Sequence, residues 1–176
     1  YNSRPPYYKP LDEIAAELDE LKSRRKLGYV SLVGGEVLLH PDLTAIIRHL
    51  KSQGLCVQLF TNGLLLNETT LTELSATGLD IIYVHIDRGQ TRPDLPSNPT
   101  HEQLRRLWDE KANLIARHGI DVGLTMTAYD GELDDVRSIV EYVVDSAHVN
   151  YLLVTLYRDT ENITGLHGTI DSGLTG

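Results

Sequence analysis

The chain has 176 residues, a hydrophobic fraction of 41%, a net charge of −9 and one cysteine. This length and apolar content indicate one domain with a buried core, and no apolar run is long enough to cross a membrane. The negative charge and the scattered basic residues argue against a nucleic-acid-binding surface, while the single cysteine excludes an internal disulfide framework and favours a reducing, cytoplasmic location.

Short, almost continuously apolar segments alternate with amphipathic segments along the chain. The predicted strands cover residues 29–33, 56–61, 81–86, 122–127 and 151–156. Such segments are typical of strands that are covered on both faces. The alternation predicts right-handed strand–helix–strand units and a parallel sheet, and it is compatible with both an open doubly wound sheet and a barrel.

The helical segments carry recognisable end signals. Pro41 is expected to begin the second helix, Asn67 to cap the third, and Thr100 with Gln103 to form a capping box for the fourth. A fifth helix over 132–146 is expected to bury four apolar residues, Val136, Ile139, Val140 and Val143.

Polar residues and glycines collect where the predicted strands end. The carboxyl ends of parallel strands share one edge of the sheet, which is where α/β folds bind ligands. In chain order these residues are Gly34, Gly35 and Glu36; Thr61, Asn62 and Gly63; His85, Asp87, Arg88 and Gly89; Thr125, Thr127 and Tyr129; and Thr155, Tyr157 and Arg158.

The first of these groups, Gly34-Gly35-Glu36, places two glycines directly before a carboxylate. Glycines allow a ligand to approach the backbone, and an ionised carboxylate prefers an ammonium or another hydrogen-bond donor. A ligand with an α-amino group would satisfy Glu36. A solvated glutamate in a tight strand–helix turn is the alternative.

The order and spacing of three segments resemble a known enzyme family. Residues 31–36 (Ser-Leu-Val-Gly-Gly-Glu), 38–43 (Leu-Leu-His-Pro-Asp-Leu) and 59–63 (Leu-Phe-Thr-Asn-Gly) closely resemble the radical S-adenosylmethionine (radical SAM) enzymes, and 84–87 (Val-His-Ile-Asp) is similar to their fourth-strand pattern. The resemblance implies an α/β fold, a partial parallel (βα)6 TIM-like barrel that lacks its first strand and cluster loop. It implies a core domain over 1–158 and an irregular Gly/Thr-rich tail over 159–176.

The resemblance also implies an activity. Radical SAM enzymes use a 4Fe-4S cluster and an electron donor such as flavodoxin or ferredoxin to cleave SAM reductively. The resulting 5′-deoxyadenosyl radical abstracts hydrogen from a substrate, which is unknown here. By this resemblance the motif at Glu36 would bind the methionyl amino group. The residues implied for SAM binding are Gly34, Gly35, Glu36, Thr61, Asn62, His85, Asp87, Thr125 and Thr127.

Five further residues at the same edge are candidates for contact with the substrate. Two arginines of the long loop 88–99 have the charge to clamp a carboxylate or phosphate. The full set is Arg88, Arg92, Thr155, Tyr157 and Arg158.

One part of the family pattern is absent from the sequence. The cluster is usually held by three cysteines in a CxxxCxxC loop, and Cys56 alone cannot replace them. We therefore expect the cluster cysteines upstream of Tyr1 and no radical chemistry from this chain alone. A clusterless ligand-binding module, or a degenerate relative, is the alternative. An aldolase- or isomerase-type barrel ranks last, because the strand ends offer neither a lysine base nor a metal triad.

Overall fold

The computed structural model describes residues 7–129 and 133–157. The strands are β1 Tyr29–Leu32, β2 Cys56–Thr61, β3 Ile81–His85, β4 Asp121–Ala128 and β5 Val149–Leu156. The α-helices are α1 Leu11–Arg24, α2 Leu43–Ser52, α3 Glu68–Ser75, α4 His101–Ala116 and α5 Leu133–Asp145. Arg158 and the predicted tail lie outside the described residues, so the domain division stays a prediction.

The five strands form one parallel sheet in the order in which they occur in the chain, β1-β2-β3-β4-β5. Parallel connections are right-handed, so an unbroken sequential order places every connecting helix on the same face of the sheet. A doubly wound sheet would reverse its order and carry helices on both faces. The arrangement is therefore that of a partial TIM-like barrel, and the sheet does not close among the described residues.

The face of the sheet that carries the helices holds the hydrophobic core. Side chains that alternate along β2 and β3, such as Val57, Leu59, Ile82 and Val84, are fully buried. They belong to one cluster with the inner faces of the helices, which contribute Ile47, Leu50, Leu71, Ile115 and Ile139. Complete burial of each such side chain stabilises the fold by about 1.5–3 kcal/mol. This layer fixes where the carboxyl ends of the strands lie.

The opposite face of the sheet is open, and an aromatic row lies on it. The rings of Phe60 and Tyr83 stack with their centroids 4.5 Å apart, and Tyr151 lies 6.2 Å from Tyr83. The Tyr83 ring rests on Gly123, where a Cβ atom would come within 2.4 Å of it. The prediction that the strands are covered on both faces holds along most of β4. It is wrong for β5, where alternate side chains are exposed, and for β1 and β2, where they are partly exposed.

The helix ends match most of the sequence signals. Asn67 accepts a hydrogen bond from the Thr70 N–H at 3.0 Å, and Thr100 forms the expected capping box. Two details differ. Helix α2 begins at Leu43, after Pro41, and Val140 is 41% exposed because Ser138 and Tyr142 share the buried face of α5 with Ile139.

Candidate active site at the carboxyl edge of the sheet

The two glycines that follow β1 border open space. Gly34 and Gly35 are exposed, and a Cβ atom at either position would meet no other atom within 4 Å. Neither residue has the positive φ that favours glycine. The space beside this backbone is therefore open, and the close approach of a ligand there stays a prediction.

The Glu36 carboxylate joins the end of β1 to the end of β2. Its Oε1 accepts hydrogen bonds from the Leu38 N–H at 3.1 Å and from the Thr61 hydroxyl at 2.7 Å. Its Oε2 accepts one from the Asn62 N–H at 3.0 Å. A carboxylate offers about four acceptor positions, so one position on Oε2 is unused. We call this arrangement the Glu36 clasp.

The end of β2 and the turn after it hold Thr61, one of the three donors to Glu36. Thr61 is 4% exposed, and its hydroxyl also accepts a hydrogen bond from the Gly63 N–H at 3.0 Å. Gly63 has a φ of 78°, and a Cβ there would lie 2.7 Å from Val84 Cγ1. The Thr61 hydroxyl thus donates to Glu36 and accepts from Gly63, and its assignment as a SAM-binding residue stays a prediction. Gly63 belongs to the 59–63 segment that resembles the family, although it is not among the residues implied for SAM binding.

A second polar group lies at the carboxyl end of β3, the central strand. His85 Nε2 is 2.8 Å from Asp87 Oδ2, and the same oxygen accepts a hydrogen bond from the Thr127 N–H at 3.3 Å. Thr127 Oγ1 lies 3.5 Å from the imidazole. His85, Asp87 and Thr127 therefore lie in contact at one edge of the sheet, as the sequence predicts.

Asp87 is ionised in this arrangement, although it is only 5% exposed. Burial acts to raise its pKa, but the hydrogen bond and charge of His85 and the N–H groups of Thr127 and Gly89 together lower it below the usual value. Since an ionised carboxylate can only accept, His85 Nε2 carries a proton. The imidazole is thereby held with one orientation, and 36% of it remains exposed.

The two arginines of the loop after β3 have different surroundings. The Arg92 side chain is 2% exposed, pairs with both Asp94 oxygens at 2.9 Å, and donates to the backbone oxygens of Asn62 and His85. Its expected role as a substrate clamp is not supported, because its donors tie the loop to β2 and β3. Arg88 is 33% exposed and pairs with Asp135 at 2.9 Å. Arg158 lies outside the described residues.

The ends of β4 and β5 complete the edge. Thr125 is 8% exposed and pairs in register with His85, whereas Thr155 is exposed and donates to the Met126 carbonyl at 3.3 Å. The ring of Tyr157 lies 4.7 Å from that of Tyr129, and Tyr157 is 53% exposed. These tyrosines give this end of the sheet an aromatic surface beside the polar group of β3.

The 4Fe-4S cluster does not fit the residues of this chain. Cys56 is its single cysteine and begins β2, at the opposite edge of the sheet from Glu36. Burial raises the pKa of the Cys56 thiol, which disfavours the thiolate that iron requires. Across 7–129 and 133–157, no group of three His, Cys, Asp or Glu side chains could hold a metal ion.

The sequence matches one protein family along most of its length. The match is to the radical SAM superfamily, over residues 1–143. The chain belongs to the radical SAM superfamily. Within its described residues no helix is long and apolar enough to cross a membrane.

Curated relatives of this radical SAM chain have different named roles. It is 26% identical over 165 residues to the tungsten-containing aldehyde ferredoxin oxidoreductase cofactor-modifying protein of Pyrococcus furiosus, covering 88% of this chain and 46% of that protein. It is 30% identical over 116 residues to the PqqA peptide cyclase of Ruegeria pomeroyi, covering 65% of this chain and 30% of that one. The chain thus spans less than half the length of these relatives.

Solved structures support the same fold. Streptococcus suis SuiB bound to its precursor peptide SuiA aligns with a TM-score of 0.65 and 14% identity, over 93% of this chain and 36% of SuiB. The enzyme anSMEcpe with bound AdoMet aligns with a TM-score of 0.51 and 18% identity, over 77% of this chain and 40% of that one. At these identities the likeness concerns the fold alone.

Proposed function

We propose that the whole protein is a radical SAM enzyme and that the carboxyl edge of this sheet binds SAM. The observation that carries the proposal is the Glu36 clasp, which leaves one acceptor position of Oε2 unused and directly follows the exposed Gly34 and Gly35 in the chain. An ammonium is the donor that such a carboxylate prefers. SAM carries one on its methionyl group, so Glu36 Oε2 would bind the amino group.

The other polar residues of the edge would bind the rest of SAM or the substrate. His85 and Asp87 form one orienting pair, with Thr125 and Thr127 on the neighbouring strand. We assign this group to the ribose and adenine side of SAM or to adjoining substrate. Bound SAM would supply, on reductive cleavage, the radical that abstracts hydrogen. The chain's part is to orient SAM and to limit the access of water.

For the substrate, we propose a peptide. The support is that SuiB was solved with a precursor peptide and that two of the curated relatives are named PqqA peptide cyclases. Arg88 and Tyr157 are the candidates for substrate contact, since both remain accessible at the edge. An electron donor such as flavodoxin or ferredoxin would be required by the cluster, whose ligands this chain does not supply.

The decisive experiment uses the full-length protein, reconstituted with iron and sulfide without oxygen. Its electron paramagnetic resonance spectrum is recorded after reduction, with and without SAM. We expect a reduced-cluster signal that shifts when SAM is added and that loses this shift in Glu36→Gln. The matched control is Glu141→Gln, an exposed residue on α5. A folded, complete protein without any cluster signal would leave the clusterless binding module as the better account.

A further inference from the structure

The position of the Glu36 carboxylate depends on a buried residue, Thr61, whose hydroxyl donates a hydrogen bond to it. Of the three donors in the clasp, two are backbone N–H groups of Leu38 and Asn62, and the third is the Thr61 hydroxyl. Thr61 makes the shortest of the three contacts, at 2.7 Å. A hydrogen bond to an ionised acceptor is stronger than one between neutral groups, so this contact strongly restrains the carboxylate.

The Thr61 hydroxyl is itself fixed. A hydroxyl has one proton to donate, and here it goes to Glu36 Oε1, while the oxygen accepts the Gly63 N–H at 3.0 Å. The residue is 4% exposed and ends β2, so its backbone is held by the pairing of Thr61 with Val84 in β3. The hydroxyl is thus held between Glu36 and the Gly63 N–H, on a buried residue at the end of a paired strand.

The consequence for the carboxylate is directional. Oε1 accepts two hydrogen bonds and is saturated, whereas Oε2 accepts one from Asn62. Without the Thr61 hydroxyl, Oε1 would regain a free acceptor position and the group could rotate to offer either oxygen. With it, only Oε2 can receive a further proton donor.

We propose that Thr61 is a positioning residue for ammonium recognition: it fixes Glu36 so that Oε2 alone receives the amino group of SAM. This inference rests on the proposed function, because it takes SAM as the ligand of the edge. Fixing an acceptor before the ligand arrives strengthens binding, since less conformational freedom is lost on association.

The test compares SAM with a nucleoside that lacks the ammonium. 5′-Methylthioadenosine keeps the adenosine, the sulfur atom and its methyl group, but it lacks the whole aminocarboxypropyl chain and the positive charge on sulfur. The dissociation constants of both are measured by calorimetry on the full-length, cluster-loaded protein, for the wild type, Thr61→Val and Thr61→Ser. Valine keeps the shape of threonine and removes the hydroxyl, whereas serine keeps the hydroxyl.

We expect Thr61→Val to weaken SAM binding about 5- to 10-fold, the effect of one lost hydrogen bond. Binding of 5′-methylthioadenosine should stay within about twofold, and Thr61→Ser should restore most of the SAM affinity. Thr72→Val is the matched control, because its exposed hydroxyl bonds only to the Glu68 carbonyl on α3. It should leave both constants unchanged.

Two results would overturn the inference while leaving the proposed function intact. If Thr61→Val weakened both nucleosides equally, Thr61 would support only the fold of the turn. If it weakened neither, the backbone donors alone would suffice to position Glu36. By contrast, a wild-type protein that loads a cluster but binds no SAM would contradict the proposed function itself.

Discussion

The two faces of the sheet differ in what their side chains do. On the helix face, Leu59, Ile82 and Leu124 are fully buried and belong to the hydrophobic core. On the open face, Tyr151 and Leu153 are each 40% exposed. The apolar packing that stabilises the fold therefore lies mainly on the first face.

The largest difference between the faces should appear when leucine is shortened on each. Leu59→Ala on the helix face should lower the free energy of unfolding by about 2–5 kcal/mol, because it creates a cavity in a packed core. Leu153→Ala on the open face should cost less than about 1 kcal/mol. Urea denaturation measures both, and equal losses would mean that the open face is packed in solution.

A smaller effect is expected at Arg92, which is buried although it belongs to the carboxyl edge. Arg92→Met should destabilise the protein by about 2–3 kcal/mol, since it leaves Asp94 without its partner and removes two bonds to strand-end carbonyls. Arg88→Met, with a more exposed side chain, should cost less than about 1 kcal/mol. Thermal unfolding of the two variants compares these losses of stability. A larger loss for Arg88→Met would contradict the view that Arg92 fixes the loop to the strand ends.

The glycines of the edge provide a still smaller contrast. Gly63→Ala should cost about 1–2 kcal/mol, because alanine disfavours a positive φ and its Cβ would press on Val84. Gly34→Ala should be nearly neutral for stability, since the position is open and has no such φ. Denaturant midpoints are sufficient for this comparison. Equal midpoints for the two variants would indicate that the turn after β2 relaxes around alanine.

The smallest effect concerns pH. The pKa of Asp87 is lowered in the folded state, so the unfolded chain binds more protons in the acid range. The stabilisation from ionised Asp87 is complete above its unfolded pKa of about 4 and is lost as the pH falls through the lower folded value. The free energy of unfolding should therefore fall more steeply below about pH 4 in the wild type than in Asp87→Asn.

The control for the pH experiment is Asp19→Asn, at an exposed position on α1. Its stability curve should parallel that of the wild type throughout the acid range. If Asp87→Asn also followed the wild-type curve, the contact between Asp87 and His85 would contribute nothing to folding.

Local signals made much of the fold predictable from the sequence. All five strands, the Asn67 cap and the Thr100–Gln103 capping box depend on residues close together in the chain, and all are present. The order of the strands in the sheet was not predictable from alternation alone. The sequence also did not distinguish strands covered on one face from strands covered on both faces. A short apolar strand has the same pattern whether or not a layer packs on its second side.

The positions of the candidate site residues were predictable in outline, and the contacts that were not predictable have one physical cause. The sequence places Glu36, Asn62 and His85 at one edge, but it does not show that Thr61 is buried beneath Glu36 or that Arg92 bonds to the ends of two strands. Those partners lie far apart in the chain. Hydrogen bonds of this kind become visible only when the register of neighbouring strands is known.

The sequential order of the strands also bears on how such a site can change over generations. Because neighbours in the sheet are neighbours in the chain, each sector of the carboxyl edge is encoded by one continuous stretch of the gene. Exchange of the stretch that encodes β4, α5 and β5 would replace the Thr125–Tyr157 side of the edge and leave the Glu36 clasp intact. A lineage that exchanged this stretch by recombination would thus change one side of the edge and keep the other.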